Sequence, residues 1–302
     1  MKSIYFIIPL IVGILLFAGG QSGCQQGTET EFDYSSLTMS FVEGAPPAEI
    51  NYGEQFPIFL SVKNYGGYNV PVNGVKFYLT GLGQNLNGVT TTLSNSNLLN
   101  KRDLYQDGGS ETIVFAERAT PAVSLQNSFS FTMRLDSCYE YRTSIEAPIC
   151  VGNGDAYICS ISGNKMDDGT STAGPIQVEN ITEIVEGNKL YVFFTLVNNG
   201  GGDVYLRNSD CDLLQSNDIT ESLKKGMVDV LVRTGEPGFT CRLQSTEAPY
   251  GTVDTLTGVS SMGRVACVKT LESPDTHLSS LEIELAYRYW KTLSHALTIL
   301  PA

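Results

Sequence analysis

The sequence predicts an all-β protein in which two antiparallel β-sandwiches follow an apolar N-terminal segment. Three features predict this class: short strands of alternating polarity, turn residues between them, and a stretch that recurs in both halves of the chain. Alternation places one strand face in a core, and clusters of Gly, Asn and Pro mark the strand ends. Strands of this kind and spacing are typical of sandwiches and not of a parallel sheet covered by helices.

The N-terminus resembles an export signal. Met1 and Lys2 give a positive start, residues 4–17 are almost wholly apolar, and small residues follow at 18–20. The apolar run is shorter than the roughly 20 residues that a membrane-spanning helix needs. Cys24 stands where a lipoprotein signal is cut, so we predict lipidation of Cys24. An uncleaved signal anchor and plain secretion are the alternatives.

The domain boundaries follow from composition. We predict a signal peptide over residues 1–23, a lipid-anchored flexible tether over 24–37 and a first sandwich over 38–159. A linker rich in Gly, Ser, Thr and Asp covers 160–175. The second sandwich covers 176–302.

The two halves contain a duplication. Residues 59–67 and 193–201 are both an alternating strand that ends in a turn with Asn, Gly and Gly, at an offset of 193 − 59 = 134 residues. Asn and Gly supply the positive φ that such turns need. A second repeated pattern occurs at residues 129–141 and at residues 281–289. In each, a strand of alternating polarity runs into a Tyr-x-Tyr sequence. Two copies of one unit predict two domains of one kind.

Individual strands are predicted by apolar residues that recur at every second position. Those residues are Ile58, Leu60 and Val62; Val75, Phe77 and Leu79; Leu190, Val192, Phe194 and Leu196; and Val228, Val230 and Val232. Turn signals separate these strands at residues 73–74, 107–109, 186–188 and 235–238. Short helical turns are expected only at 98–104 and 219–225.

Charge and composition exclude two classes of protein, and the negative charge also disfavours direct docking on an anionic lipid surface. The net charge is −13 and the isoelectric point is about 4.6. Nucleic acid is therefore excluded as a partner, because phosphates require clustered Lys and Arg. The hydrophobic content of 42% is too high for a disordered chain.

Apart from Cys24, six cysteines remain, an even number that can form three disulfides in an exported protein. They are Cys138, Cys150, Cys159, Cys211, Cys241 and Cys267. The first pairing we consider joins Cys138 to Cys150 across a hairpin, Cys159 to Cys211, and Cys241 to Cys267. The alternative joins Cys150 to Cys159 and Cys138 to Cys211. Zinc is disfavoured because no C-x-x-C pair occurs and the chain has only two histidines.

No complete catalytic motif is found, so the sequence predicts no catalytic residue, no cofactor and no enzyme. His277 and His295 have no nucleophile signature nearby, and each is expected to be an exposed strand or loop residue. No metal site is predicted, although a structural calcium at Asp203, Asp210, Asp212 and Asp218 is an alternative. Asn180 begins a glycosylation sequon that has meaning in an exported chain.

Several short stretches resemble one family. They are residues 44–50, 53–57, 64–67, 138–143, 149–151, 173–178 and 210–212. Together they are similar to uncharacterised archaeal cell-surface lipoproteins of small-genome lineages, over most of residues 40–300. The resemblance implies tandem immunoglobulin-like, adhesion-related domains on the outer cell surface. It implies no activity.

We therefore expect a non-enzymatic exported protein on the extracellular face of the cell membrane, attached through its N-terminus. Its partner would be a protein or glycan on the cell surface, met by the loops at residues 85–100 and 207–218. Tyr65, Tyr68 and Tyr205 are candidates for contact or for packing. The alternative is an accessory module that binds sugar or calcium for an exported enzyme or transporter. A deep pocket lined by carboxylates and aromatic residues would favour that alternative.

Overall fold

The computed structural model describes residues 36–122, 126–152, 157–235, 237–243, 255–272 and 275–301. Its strands are β1 (Leu37–Phe41), β2 (Glu49–Asn51), β3 (Phe56–Asn64), β4 (Val75–Thr80), β5 (Leu86–Asn87), β6 (Thr92–Ser94), β7 (Ser110–Pro121), β8 (Phe129–Val151), β9 (Thr170–Ser171), β10 (Ile176–Glu186), β11 (Lys189–Asn198), β12 (Asp203–Leu206), β13 (Met227–Thr234), β14 (Thr240–Leu243), β15 (Thr255–Ser260), β16 (Arg264–Thr270) and β17 (His277–Leu300). Two short helices, α1 (Cys211–Gln215) and α2 (Ile219–Ser222), and a 3₁₀ turn (Lys165–Asp167) complete the elements.

These strands form three sheets, which confirms the all-β prediction. The first half contributes the order β1-β3-β7-β5, and the second half contributes β10-β11-β16-β14. A third sheet, β15-β13-β17-β8-β4-β6, contains strands of both halves, and we call it the shared sheet. The pairs within these sheets are antiparallel, whereas β2 pairs with β17 in parallel.

The alternating sequence pattern matches the burial of the strands. In β3 every second residue is buried, from Phe56 through Leu60 to Asn64, and its equivalent β11 alternates in the same way. One face of each strand therefore enters a core, as the period of two requires. The apolar core runs continuously from residues of the first half to residues of the second.

The duplication reappears as an internal two-fold relation. Strands β8 and β17 pair over all 23 residues of β8. Glu140 lies opposite Arg288 at the centre, with Tyr139 opposite Tyr289 on one side and Tyr141 opposite Tyr287 on the other. This pairing joins the two halves in one sheet. The division into two separate sandwiches therefore stays a prediction.

Two connections differ from the sequence expectations, and a third agrees with them. The predicted linker is ordered: it contains the 3₁₀ turn, and its strand β9 pairs with β8. Helix α2 confirms the helical turn expected at 219–225. Residues 98–104 contain no helix, because Leu99 instead exchanges backbone hydrogen bonds with Val70. Within the described residues, no helix has both the length and the apolar character needed to cross a membrane.

Candidate functional site

Four buried tyrosines occupy the centre of the shared sheet: Tyr139, Tyr141, Tyr287 and Tyr289. We call them the tyrosine cluster. Their ring centroids lie 5.9–6.3 Å apart in four neighbouring pairs. They share one face because residues two apart on a strand point the same way and the register places the two Tyr-x-Tyr sequences opposite each other.

Each half uses one of these tyrosines to hold its repeated turn. The Tyr68 backbone N–H donates to Tyr141 Oη at 3.3 Å, and the Gly202 N–H donates to Tyr289 Oη at 2.7 Å. The Asn64 side chain donates to the Tyr68 carbonyl at 2.8 Å, and Asn198 repeats this bond to Gly202 at 2.9 Å. The duplicated Asn and the duplicated Tyr therefore form one structural unit in each copy.

The phenol groups are kept neutral. Burial raises the pKa of Tyr289 to about 12, and burial also raises the pKa of Tyr139, Tyr141 and Tyr287 above the ordinary value. A neutral phenol can donate one hydrogen bond and accept others, as these do. The arrangement is suited to structural bonding and not to proton abstraction near neutral pH.

The opposite face of the shared sheet holds a buried carboxylate. Asp136 Oδ1 accepts from Thr292 Oγ1 at 2.6 Å, from Arg134 Nε at 2.9 Å and from Trp290 Nε1 at 3.3 Å. Three donors, one of them charged, compensate the cost of burying this charge. The Trp290 ring stacks on Tyr78 with centroids 5.9 Å apart.

Helices α1 and α2 form an insertion that covers this part of the face. The disulfide Cys138–Cys211 joins α1 to β8. Asp212 in α1 accepts from Lys76 Nζ at 2.5 Å and from Tyr78 Oη at 2.6 Å. These bonds lower the pKa of the Asp212 carboxyl, Lys76 being the larger cause. The insertion belongs to the second half but is attached to strands of the first.

The four aspartates considered for calcium have structural partners. Asp210 and Asp218 cap the N-termini of α1 and α2, and Asp203 pairs with Lys225 at 2.7 Å. Asp212 bonds Lys76 and Tyr78, as described above. Across the described ranges, no three acidic, histidine or cysteine side chains are grouped as metal ligands would be.

All six cysteines of the described chain form disulfides, and the pair Cys241–Cys267 is confirmed. The first pairing was wrong for the other four: Cys138 bonds Cys211, and Cys150 bonds Cys159, as in the alternative. The expected hairpin between Cys138 and Cys150 does not form, because both lie on the single strand β8. Twelve residues of strand separate them by about 40 Å. Cys24 lies outside the described residues.

An open cleft of about 730 Å³ lies where β8, β9 and β17 meet. Glu146, Asp168, Thr170 and Ser279 bring polar groups to it, and Leu278 is 60% exposed beside them. A smaller neighbouring cleft shares Pro148, Asp168 and Leu278 and includes the disulfide Cys150–Cys159. None of the described residues that line either cleft is aromatic.

A buried ion pair supports this end of the sheet. Lys165 Nζ lies 2.9 Å from Glu183 Oε2 and also donates to the Ser160 carbonyl. Glu183 Oε1 accepts from the Cys150 backbone N–H at 2.8 Å, and burial raises the pKa of Glu183. The sequence does not reveal this pair, because Lys165 lies in a polar stretch typical of a linker and nothing in that stretch signals burial.

Asn180, Tyr205 and the two histidines all lie on strands. Asn180 is exposed on β10, an edge strand, at a bulge. His277 is exposed at the start of β17, as expected. The expectation was wrong for His295, which is half-buried because its ring packs against that of Phe41, with the ring centroids 5.4 Å apart. Tyr205 packs against the apolar cluster around Trp290.

Tyr65 and Tyr68 also pack, each beside cationic side chains. The Tyr65 ring lies 4.7 Å from Lys63 Nζ. The Tyr68 ring packs edge-on against Tyr141 and has the Arg142 guanidinium 5.7 Å away. Both are therefore part of the turn's packing.

No protein-family model and no curated protein matches the chain. Among solved structures, the chain is similar to envelope protein VP37 of White Spot Syndrome Virus, with a TM-score of 0.19 and 10% identity over 50% of this chain and 98% of that chain. It is also similar to the secreted serine protease VesC from Vibrio cholerae, with a TM-score of 0.20 and 8% identity. That match covers 83% of this chain and 50% of VesC, so the chain spans about half of that protein's length. Likenesses this weak carry no argument about function.

Proposed function

We propose that this chain is a non-enzymatic, exported cell-surface protein, anchored through Cys24, that binds a protein or glycan partner in envelope assembly or adhesion. The observation that carries the proposal is the disulfide set, in which all six cysteines of the described chain are paired. Structural disulfides persist in oxidising compartments and are rare in the cytosol. Lipidation of Cys24 and the resemblance to archaeal surface lipoproteins stay predictions.

The chemistry of the buried polar groups supports a structural role. The hydroxyls of the tyrosine cluster hold backbone turns, Asp136 is bonded by three donors, and Glu183 is paired with Lys165. Each of these groups is used in holding strands or loops together. Recognition would then belong to the surface, where loops and edge strands of sandwiches commonly bind partners.

An accessory ligand-binding module is the second candidate, and the open cleft is the observation that favours it. Two carboxylates, Glu146 and Asp168, lie there beside Thr170 and two serines, a set that can bond sugar hydroxyls. A ligand-binding module is expected to have a deep pocket with aromatic residues. The cleft is open, and its described lining is not aromatic, so it fits this module less well.

Crosslinking of intact cells, followed by mass spectrometry of this protein, tests the proposal. Repeated crosslinks to one envelope protein or to a second copy would identify an assembly component, and crosslinks to another cell's surface would identify an adhesin. Capture of no specific partner would contradict both roles.

A paired comparison separates the two candidates. If the cleft carries recognition, the variant Glu146→Gln/Asp168→Asn loses its ligand or partner, whereas a control with the exposed Glu117→Gln change keeps it. Binding of a sugar or of calcium to the purified protein, abolished by the cleft variant alone, would favour the accessory module.

A further inference from the structure

We propose that Leu104 and Tyr105, at the tip of the loop between β6 and β7, insert into the interfacial region of the membrane that holds the N-terminus. This inference rests on the anchor in the proposed function. We call residues 101–108 the tip loop. The proposed contact would orient the first half of the protein relative to the membrane surface.

The tip is apolar and almost fully exposed. Leu104 is 95% exposed and Tyr105 is 97% exposed, and they are adjacent in the chain. Single exposed apolar residues are ordinary, but two neighbours at a loop tip concentrate their apolar surface in one place. Tyrosine favours the membrane interface because its ring is apolar and its hydroxyl can remain in contact with water.

The tip is also held in a defined conformation. Asp103 Oδ1 accepts from the backbone N–H groups of Tyr105 and Gln106, both at 2.8 Å. The Asp103 N–H in turn donates to the Gln106 carbonyl at 3.1 Å. A preformed turn loses little conformational freedom on binding. Less of the favourable free energy of burying its apolar residues is therefore offset by the cost of ordering the loop.

The base of the loop rests on the repeated turn of the first half. The Arg102 N–H donates to the Gly66 carbonyl at 2.9 Å, and the Arg102 guanidinium lies 5.8 Å from the Tyr65 ring. Gly108 packs so closely that an added Cβ would lie 1.5 Å from the Asn64 carbonyl oxygen. The tip loop is therefore attached to the body of the first half.

The described chain begins at this same turn. The Ser36 carbonyl accepts from the N–H groups of Tyr65 and Gly66 at 2.9 and 3.2 Å. Only 36 − 24 = 12 residues separate Ser36 from Cys24, and a chain of that length reaches at most about 40 Å. A lipid on Cys24 would keep this turn, and with it the tip loop, within about 40 Å of the bilayer.

The duplication offers an internal comparison. In the first half, residues 95–109 connect β6 to β7, whereas in the second half residues 261–263 connect β15 to β16. The long loop therefore belongs to the half that carries the N-terminus.

The tip loop has no net charge, because Lys101 and Arg102 balance Asp103 and Asp107, whereas the whole chain carries −13. Lys101 and Arg102 are exposed on the N-terminal side of the tip, where they can meet phosphates. Asp107 lies 4.0 Å from Lys63, and Asp103 bonds the turn.

Fluorescence of the full protein in vesicles tests this contact. The protein would be extracted from membranes with its own N-terminus and reconstituted in vesicles of phosphatidylcholine brominated on the acyl chains. The variant Tyr105→Trp places a reporter at the tip. The variant Ile219→Trp places a matched reporter on the exposed surface of α2, where Ile219 is 78% exposed. Trp290, the native tryptophan, is buried and common to both variants.

We expect the emission of Tyr105→Trp to shift to shorter wavelength on reconstitution and to be quenched by the brominated lipid, while Ile219→Trp is not quenched. Protein that floats with the vesicles but shows no quenching at the tip would overturn this inference and leave the anchor intact. Equal quenching of both variants would also overturn it, since the contact would not be specific to the tip. Wild-type protein that fails to float would contradict the anchor and this inference together.

Discussion

At the scale of single residues, the tyrosine cluster links the shared sheet to the outer sheets. Tyr139 Oη lies 2.6 Å from Ser36 Oγ, and Tyr287 Oη accepts from the Ile176 N–H at 3.3 Å. Tyr141 and Tyr289 bond the two repeated turns, as described above. These hydroxyls therefore act as polar attachment points inside an apolar core, where an unsatisfied partner is costly.

Removing one of these hydroxyls should weaken the fold. In Tyr289→Phe the Gly202 N–H, now bonded at 2.7 Å, loses its acceptor. We expect the free energy of unfolding to fall by about 1 to 3 kcal/mol. Urea denaturation measures this, with Tyr52→Phe, at an exposed tyrosine, as the control that should stay near wild type. An equal effect of the two changes would contradict the structural role of Tyr289.

The contact between α1 and β4 should respond to acid. Lys76, and then Tyr78, lower the pKa of Asp212 below its ordinary value of 3.8. A carboxyl with a lowered pKa stabilises the fold above its ordinary pKa, and this contribution is lost as the pH falls through the lowered value. The effect is small because the pair is exposed.

Denaturation as a function of pH tests this linkage. Asp212→Asn should be less stable than wild type at neutral pH, and the difference should disappear in strong acid. Asp107→Asn, at an exposed aspartate of a different loop, is the control for the loss of one surface carboxylate. A constant difference between Asp212→Asn and wild type at every pH would rule out this linkage.

At the scale of elements, the sequence predicted strands well because their signal is local. Alternation at Ile58, Leu60 and Val62 reports burial directly, and the structure has them in β3. The disulfide pairing could be predicted only if β8 was known to contain both Cys138 and Cys150, and the sequence did not reveal that length. The hairpin expected between Cys138 and Cys150 is absent because β17 pairs with β8 throughout that stretch, so the strand continues through it.

The disulfides should differ in their contribution to stability. Cys138–Cys211 closes a loop of 73 residues, and Cys150–Cys159 closes a loop of 9. The chain-entropy model predicts losses of about 4 and about 2.5 kcal/mol when each pair is replaced by serine. Chemical denaturation of the two double variants compares them directly. A larger loss for the short loop would show that packing of the cleft region, and not loop closure, determines the difference.

At the scale of the whole molecule, the duplication was visible in the sequence but its assembly was not. The repeated Tyr-x-Tyr sequence shows which residues are related by the duplication: Tyr139 corresponds to Tyr287, and Tyr141 corresponds to Tyr289. Their cross-pairing depends on contacts between residues about 150 apart, and local patterning carries no signal for these. The open cleft was missed for the same reason, since β8, β9 and β17 meet there from distant parts of the chain.

Because β8 and β17 share one sheet and one core, the two halves should unfold together. We expect a single transition in calorimetry, with equal calorimetric and van't Hoff enthalpies. Trp290, which stacks on Tyr78 of the other half, should report the same midpoint by fluorescence as the far-ultraviolet dichroism of all strands. Two separate transitions would instead support independent sandwiches.

The intact mass of the protein extracted from cell membranes, measured before and after reduction, tests the central claim of an exported, anchored chain most directly. We predict a chain that begins at Cys24 with a lipid adduct and that gains the mass of six hydrogens on reduction, two for each of three disulfides. A chain that retains Met1, carries no lipid and shows no mass change on reduction would contradict export, anchoring and the disulfide framework together.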